Sequence, residues 1–505
     1  MQGTKIRLLV GGLLLAAAAS HVQAEALQPD PAWQQGKLDN GFTWQLLTTP
    51  QRPSDRIELR LVVRTGSLAE SAQQAGYAHF LPRLALMHSE GFSTSELQSL
   101  WQQSINPQRP LPPAVSSYDF TMYNLSLPNN RPELLKDALN WLANTAGKIS
   151  VTPALVSAAR QESQDPVGSL PQNTQDAWWR TRIAGSTLVG HSPDQLPTKP
   201  VNIEALTKFY HQWYTPDAMT LFVVGNVDSR GLGEQINRTF SPLKGSRQTP
   251  QTLPTLSEVT SKSMTMMDGN LTQDRLSLMW DNAWQPIQDS QALAAYWRSD
   301  LAREALFWHL QEALKSAFES KKDATTPGPG LGFDCNVQYQ RAQCAIRIDA
   351  PQAKLTELFK RLSEELLVVR DKGISQAEFD ALIAQKNDQL SKLFATYART
   401  DTDVLMSQRL RSQQNGVVDI APEQYQQLRQ QFLTTLTLPV LNQELKQQLS
   451  REPAMLIAQP KGEPEVNAGE LRAIYDKIMA PADVAPAGDT PAVEVPAASA
   501  AATAQ

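Results

Sequence analysis

The chain has 505 residues, with 46 Lys and Arg against 51 Asp and Glu and a formal charge of −5. That mild acidity argues against nucleic acid or an anionic membrane surface as a partner. One hydrophobic core does not serve this length, so two or more domains are expected, and an apolar content of 41% is ordinary for globular ones.

The chain opens with Lys5 and Arg7, an apolar run from Leu8 to Ala19, and the small-residue site Val22-Gln23-Ala24. This reads as a secretory signal, residues 1–24, cleaved before Glu25; the run is short for a membrane span. The protein is then expected in the bacterial periplasm, with no membrane partner after cleavage. A strand is expected over Ile57–Val63. After Gly66-Ser67-Leu68-Ala69-Glu70 comes Gly76-Tyr77-Ala78-His79-Phe80-Leu81-Pro82-Arg83. Proline suits a first helical turn and disrupts an interior, so a helix should begin near Pro82 or kink there. On residue chemistry alone this is a buried helix of Leu81, Leu84, Ala85 and Met87, with His79 packed or capping. His88 is nine positions beyond His79, about half a turn out of phase.

Further along, a strand over Tyr123–Pro128 leads to an amphipathic helix Pro132–Ala146 that ends at Gly147. Thr152 and Pro153 then supply an N-cap and first position for the next helix. The same series recurs downstream. The segment Ala345–Pro351 precedes an amphipathic helix Ala353–Arg370, and Ser375 with Glu378 makes a capping-box pattern for the helix that follows. Ile57–Val63 corresponds to Arg275–Trp280. The chain therefore reads as a duplication. The first half should close with an apolar strand, Met219–Val227. A Pro/Thr/Ser-rich linker, 248–262, separates a domain over 25–247 from one over 263–480. Thr325–Gly332 reads as a loop, and residues 481–505, mostly Ala, Pro, Val and Thr, as a disordered tail.

The two cysteines, Cys335 and Cys344, fall on alternating runs that fit a hairpin turning at Tyr339-Gln340, which sets them opposite each other. A cross-strand disulfide and two reduced, buried thiols both fit that placement. Trp178, Trp179 and Trp213 fit either a peptide groove or a core or interface. His191, His211 and His309 stand isolated. No G-x-S-x-G elbow, Walker loop or Rossmann glycine run is present.

The stretch around His79 resembles the metal-binding segment of the pitrilysin/insulinase family of zinc peptidases, whose inverted motif H-x-x-E-H puts two zinc ligands and a general base on one helix. The resemblance extends over Asn40-Gly41-Phe42, Gly66-Ser67, Glu70, Gly76-x-Ala78-His79, Ser117–Tyr123, Leu206–Tyr210, Tyr214–Met219 and Val223–Asn226. It implies an α+β fold of two tandem homologous domains, each an antiparallel sheet packed with helices. The motif itself is degenerate. Pro82 stands at the base position and has no carboxylate. Arg83 stands at the second ligand position and is a fixed cation. The family's third ligand maps near Glu162, which leaves His79 and Glu162 as residual metal candidates, with Glu162 alternatively a partner for Arg83.

No metal site and no catalytic residue is therefore expected. The favoured reading is an exported, non-catalytic protein that binds peptides or pairs with a protein partner subunit. A zinc peptidase with displaced ligands, drawn from His79, His88 and Glu162, is the first alternative. An envelope scaffold is the second.

Overall fold

The computed structural model describes residues 24–172, 174, 176–319 and 327–480. The expected signal apart from Ala24, the tail 481–505 and the first part of the Thr325–Gly332 loop lie outside them. The strands are β1 Trp33–Lys37, β2 Thr43–Thr48, β3 Ile57–Val63, β4 Ala114–Ser117, β5 Thr121–Leu127, β6 Val167–Leu170 and β7 Met219–Gly225 in the first half. The second half supplies β8 Ser263–Met267, β9 Asp274–Ala283, β10 Gly330–Gln338, β11 Arg341–Ala350 and β12 Ala454–Gln459. The loop expected at Thr325–Gly332 is thus shorter than it reads, because Gly330–Gly332 pairs with Arg347–Asp349 as the start of β10.

The first sheet runs β1-β2-β7-β3-β5-β4-β6 and the second β10-β11-β9-β12-β8. Reversed, the second sheet matches the middle of the first: β2-β7-β3-β5-β4 against β8-β12-β9-β11-β10. Directions match too. The pairs β2–β7 and β8–β12 are parallel, and the remaining pairs of the matched series are antiparallel. Parallel neighbours need long crossovers, so each half carries helices between those strands. The first half adds one edge strand on each side, β1 and β6. β6 lies parallel to β4.

The first-half helices are α1 Tyr77–Met87, α2 Thr94–Ser104, α3 Pro132–Gly147, α4 Pro153–Gln161, α5 Ala177–Ile183, α6 Ile203–Trp213 and α7 Ser229–Phe240; the second half opens with α8 Ser290–Ala313. Period-two alternation on β3 turns Ile57, Leu59, Leu61 and Val63 into a core shared with Phe80, Leu84, Leu139 and Phe209 from the helices. Glu58 and Arg60 fall on the other face and pair at 2.7 Å. The expected caps are in place: Thr152 Oγ1 accepts from Leu155 N–H, and Ser375 and Glu378 bond reciprocally.

Several contacts join the halves. The helix Thr402–Gln414 lays Leu405 and Met406 on Trp33, Leu47, Phe222 and Val224. The β10–β11 hairpin inserts Tyr339 among Tyr118, Trp179 and Leu188. Beside it, buried Asp281 is shared by Arg182 at 3.5 Å and Arg341 at 3.1 Å. The hairpin turns on Tyr339 and Gln340, both at positive φ (47° and 64°), the backbone twist a two-residue turn needs. Cys335 and Cys344 face each other and are bonded, with Sγ–Sγ at 1.96 Å. Cys335 is exposed and Cys344 half-buried, so neither matches the buried-thiol alternative.

Candidate functional site

The site is built on α1. Its start is set by two residues upstream of any motif position. Gly76, the N-cap, has φ 92°, and a Cβ there would sit 2.5 Å from the Pro197 nitrogen. Buried Glu70 accepts the N–H of Gly76 at 2.9 Å and of Ala78 at 2.6 Å, satisfying two of the donors a helix start leaves open. Burial pushes its carboxyl up to about 8, with those two N–H bonds pulling the other way.

This anchoring corrects the expected helix boundary. α1 begins at Tyr77, five residues before Pro82, which lies inside it. The proline deprives Ala78 of its usual i+4 donor. The helix tolerates this because its first turn is fixed by Glu70 and its sides are packed: Tyr77 through Ala85 are all buried.

The His79 ring is engaged on both sides. Nδ1 is 2.6 Å from Ser116 Oγ on β4, and Ser116 Oγ donates its single proton to Pro193 O at 2.6 Å. Nε2 is 2.8 Å from Asp165 Oδ2. Both nitrogens thus face acceptors, and neither turns a lone pair to an open position. One turn on, the Arg83 guanidinium is 2% exposed. Its Nη1 donates to Ala159 O at 2.8 Å, its Nη2 to Glu162 O at 3.4 Å and Gln164 O at 3.5 Å, and its Nε lies 3.4 Å from Asp165 Oδ1.

Asp165 therefore bridges His79 and Arg83. Burial works against its ionised form, but the His79 hydrogen bond and charge, the Val167 N–H and the Arg83 charge outweigh it and hold the carboxyl below the usual carboxylate range. The acid in the site is Asp165, which the sequence reading did not single out, and not Glu162. Glu162 is the C-cap of α4, with extended backbone (φ −65°, ψ 121°); there the chain leaves the helix, the side chain is exposed, and only its carbonyl reaches Arg83. The chain then returns through Asp165 to enter β6.

His88 is the exposed C-cap of α1 and takes no part. The other isolated histidines also lie elsewhere. His191 Nδ1 sits 3.0 Å from Ser67 O, His211 is exposed on α6, and His309 lies between Glu378 at 2.7 Å and Glu365 at 3.4 Å in the second half. Trp213 is core, under Arg247. Trp179 is interface, donating to Tyr118 OH at 3.0 Å, while Trp178 lines a small cleft between the halves.

The donor set does not fit zinc. A catalytic zinc takes three protein ligands and leaves one position open. Here one imidazole is saturated, the base position is a proline, the second ligand position holds a buried guanidinium, and the carboxylate within reach neutralises it. Among the described residues no three His, Cys, Asp or Glu side chains converge as a metal would require.

The first half, residues 46–189, matches the family model described as insulinase, peptidase family M16, and residues 200–386 match that of the peptidase M16 inactive domain. The chain is also 58% identical to Protein YhjJ of Escherichia coli K12, over 96% of each chain. The chain belongs to the M16 family. A solved structure described as a predicted insulinase family protease from Yersinia pestis aligns with a TM-score of 0.87 at 62% identity, covering 94% of this chain and all of that one. The M16 fold alone is shared with the periplasmic protease PqqL from Escherichia coli, at a TM-score of 0.74 and 19% identity, over 93% of this chain and 53% of PqqL. Among the described residues no helix is long and apolar enough to cross a membrane.

Proposed function

We propose that this M16 protein is exported to the periplasm and works without catalysis, as a peptide-binding or partner subunit built on a peptidase shell. One observation carries the reading: the cluster Arg83–Asp165–His79 occupies the motif's two histidine-ligand positions, with Pro82 at the general-base position between them. A buried guanidinium is retained only when it is paired, and here Asp165 and three backbone carbonyls answer Arg83. A metal entering at His79 would have to break the Asp165 and Ser116 contacts and sit beside a fixed cation. The sequence at residues 1–24 and the periplasmic setting of PqqL support export.

The deciding experiment is elemental analysis of protein purified without added metal, alongside a chelator-controlled peptide cleavage assay. Zinc well below one per chain and no chelator-sensitive cleavage are expected, with retained peptides or a co-purifying protein identified by mass spectrometry. About one zinc per chain, lost together with cleavage on His79→Ala, would sink the reading.

A further inference from the structure

The second half carries a cavity at the face of α8. It lies between that helix, the strands β9, β10 and β11 and the helix Leu438–Leu449, and it encloses about 140 Å³. Trp280, Leu306, Phe333, Ile346 and Leu449 supply the apolar part of its lining, and Asn282, Ser299, Gln447 and Gln448 belong to the polar part. A dry cavity of about 150 Å³ takes up benzene, so one aromatic ring fills such a space.

The rim differs from the wall. Arg303 reaches it from α8 and Arg451 from the far side. Arg303 Nη1 donates to Ser299 Oγ at 2.8 Å and Nη2 to Asp300 Oδ1 at 3.4 Å, but its buried Nε has no acceptor. Arg451 Nη1 is held by Asn282 Oδ1 at 2.6 Å, a neutral partner. Glu444 is the acid among the lining residues, and it already accepts from Arg298 Nε at 3.2 Å and Gln448 Nε2 at 2.9 Å. Two guanidiniums thus line the cavity; Arg303 is paired with Asp300, and Glu444, the carboxylate in the lining, is taken up by Arg298 and Gln448.

We propose that this cavity binds a carboxylate attached to a single aromatic ring. The ring displaces water from the wall of Phe333 and Ile346, and the carboxylate takes Nη donors of Arg303 and Arg451, the geometry guanidinium groups favour. A free aryl carboxylate and a C-terminal phenylalanine of a peptide share this chemistry.

Isothermal titration with phenylpropionate, with phenylpropanol as its uncharged match, tests the proposal. The acid should bind and the alcohol should bind about tenfold or more weakly, the effect of losing a charge-assisted hydrogen bond. A peptide ending in phenylalanine, with its C-terminus free or amidated, separates the two sources: binding of the free form at least as tight as phenylpropionate assigns the site to peptide ends, and weaker binding assigns it to small acids. Gln447, exposed at the rim, allows a test that spares the packing. Gln447→Glu should weaken acid binding about tenfold, and Gln447→Lys should leave it intact. Arg303→Gln should remove it. Equal binding of acid and alcohol, no binding of either, or an unchanged affinity in Gln447→Glu would each overturn the proposal.

Discussion

The two halves share a strand order and differ in what their first long helix does. In the first half α1 is locked: nine consecutive residues are buried, His79 and Arg83 included. In the second half its counterpart α8 buries an apolar stripe, Leu293, Trp297, Leu301, Leu306 and Leu310, and leaves its polar residues at cavities and solvent. The difference has a structural source. β6 extends the first sheet beyond β4, and the turn into it delivers Asp165 to His79 and Arg83. The second sheet ends at β10, the counterpart of β4, with no further strand among the described residues. One edge strand thus separates a half that buries a cation on its first long helix from one whose counterpart helix keeps Arg298 and Arg303 partly exposed.

The largest test of this contrast pairs two leucines. Leu84→Ala on α1 should cost about 4 kcal/mol, since a fully packed site relaxes little, and Leu306→Ala on α8 about 2 kcal/mol, since Leu306 already borders a void. Urea unfolding of both variants measures this, and equal costs would break the contrast. Next is Asp165→Asn, which strands Arg83 and His79 without their acid. Removing one partner of a buried pair costs up to about 5 kcal/mol, but Asp165 is a third exposed, so about 2 kcal/mol is expected by the same measurement.

The pH dependence sharpens the picture further. Asp165 has a depressed carboxyl, so its contribution to stability is complete above the ordinary carboxylate range and is lost as pH falls through its own lower value. Acid unfolding of the Asp165→Asn variant should therefore show a flatter limb below about pH 4. Glu70 has the opposite sign. Its folded carboxyl is raised to about 8, so stability should fall as pH rises from the ordinary carboxylate range toward that value. Glu70→Gln should remove this slope, as seen in melting temperature across neutral pH.

Much of this architecture is legible in the residues. Alternation finds β3, β5, β9 and β11. Helical periodicity and the caps at Thr152 and Ser375 find the helices after each hairpin, and hairpin numbering puts Cys335 opposite Cys344. The site is only half legible. Pro82 and Arg83 mark the departure from the motif, but the acid that answers Arg83 cannot be read from helix phase, because Asp165 lies past the end of α4, where the path of the chain is set by pairing with β4. The start of α1 was hidden for a similar reason. Proline's local preference points to residue 82, while a carboxylate buried several residues upstream overrides it. The parallel strands β2–β7 and β8–β12 follow from crossovers far longer than any window of pattern.

The hold on Arg83 has one more consequence. Its hydrogen bonds run to the carbonyls of Ala159, Glu162 and Gln164, groups that every amino acid carries. Those three positions are free to drift in sequence without loosening the guanidinium, provided the loop keeps its course. Relatives that hold an arginine at this position in the same way will therefore be recognised by that arginine on the helix and an aspartate before the edge strand, while the collar between them leaves no signature in an alignment.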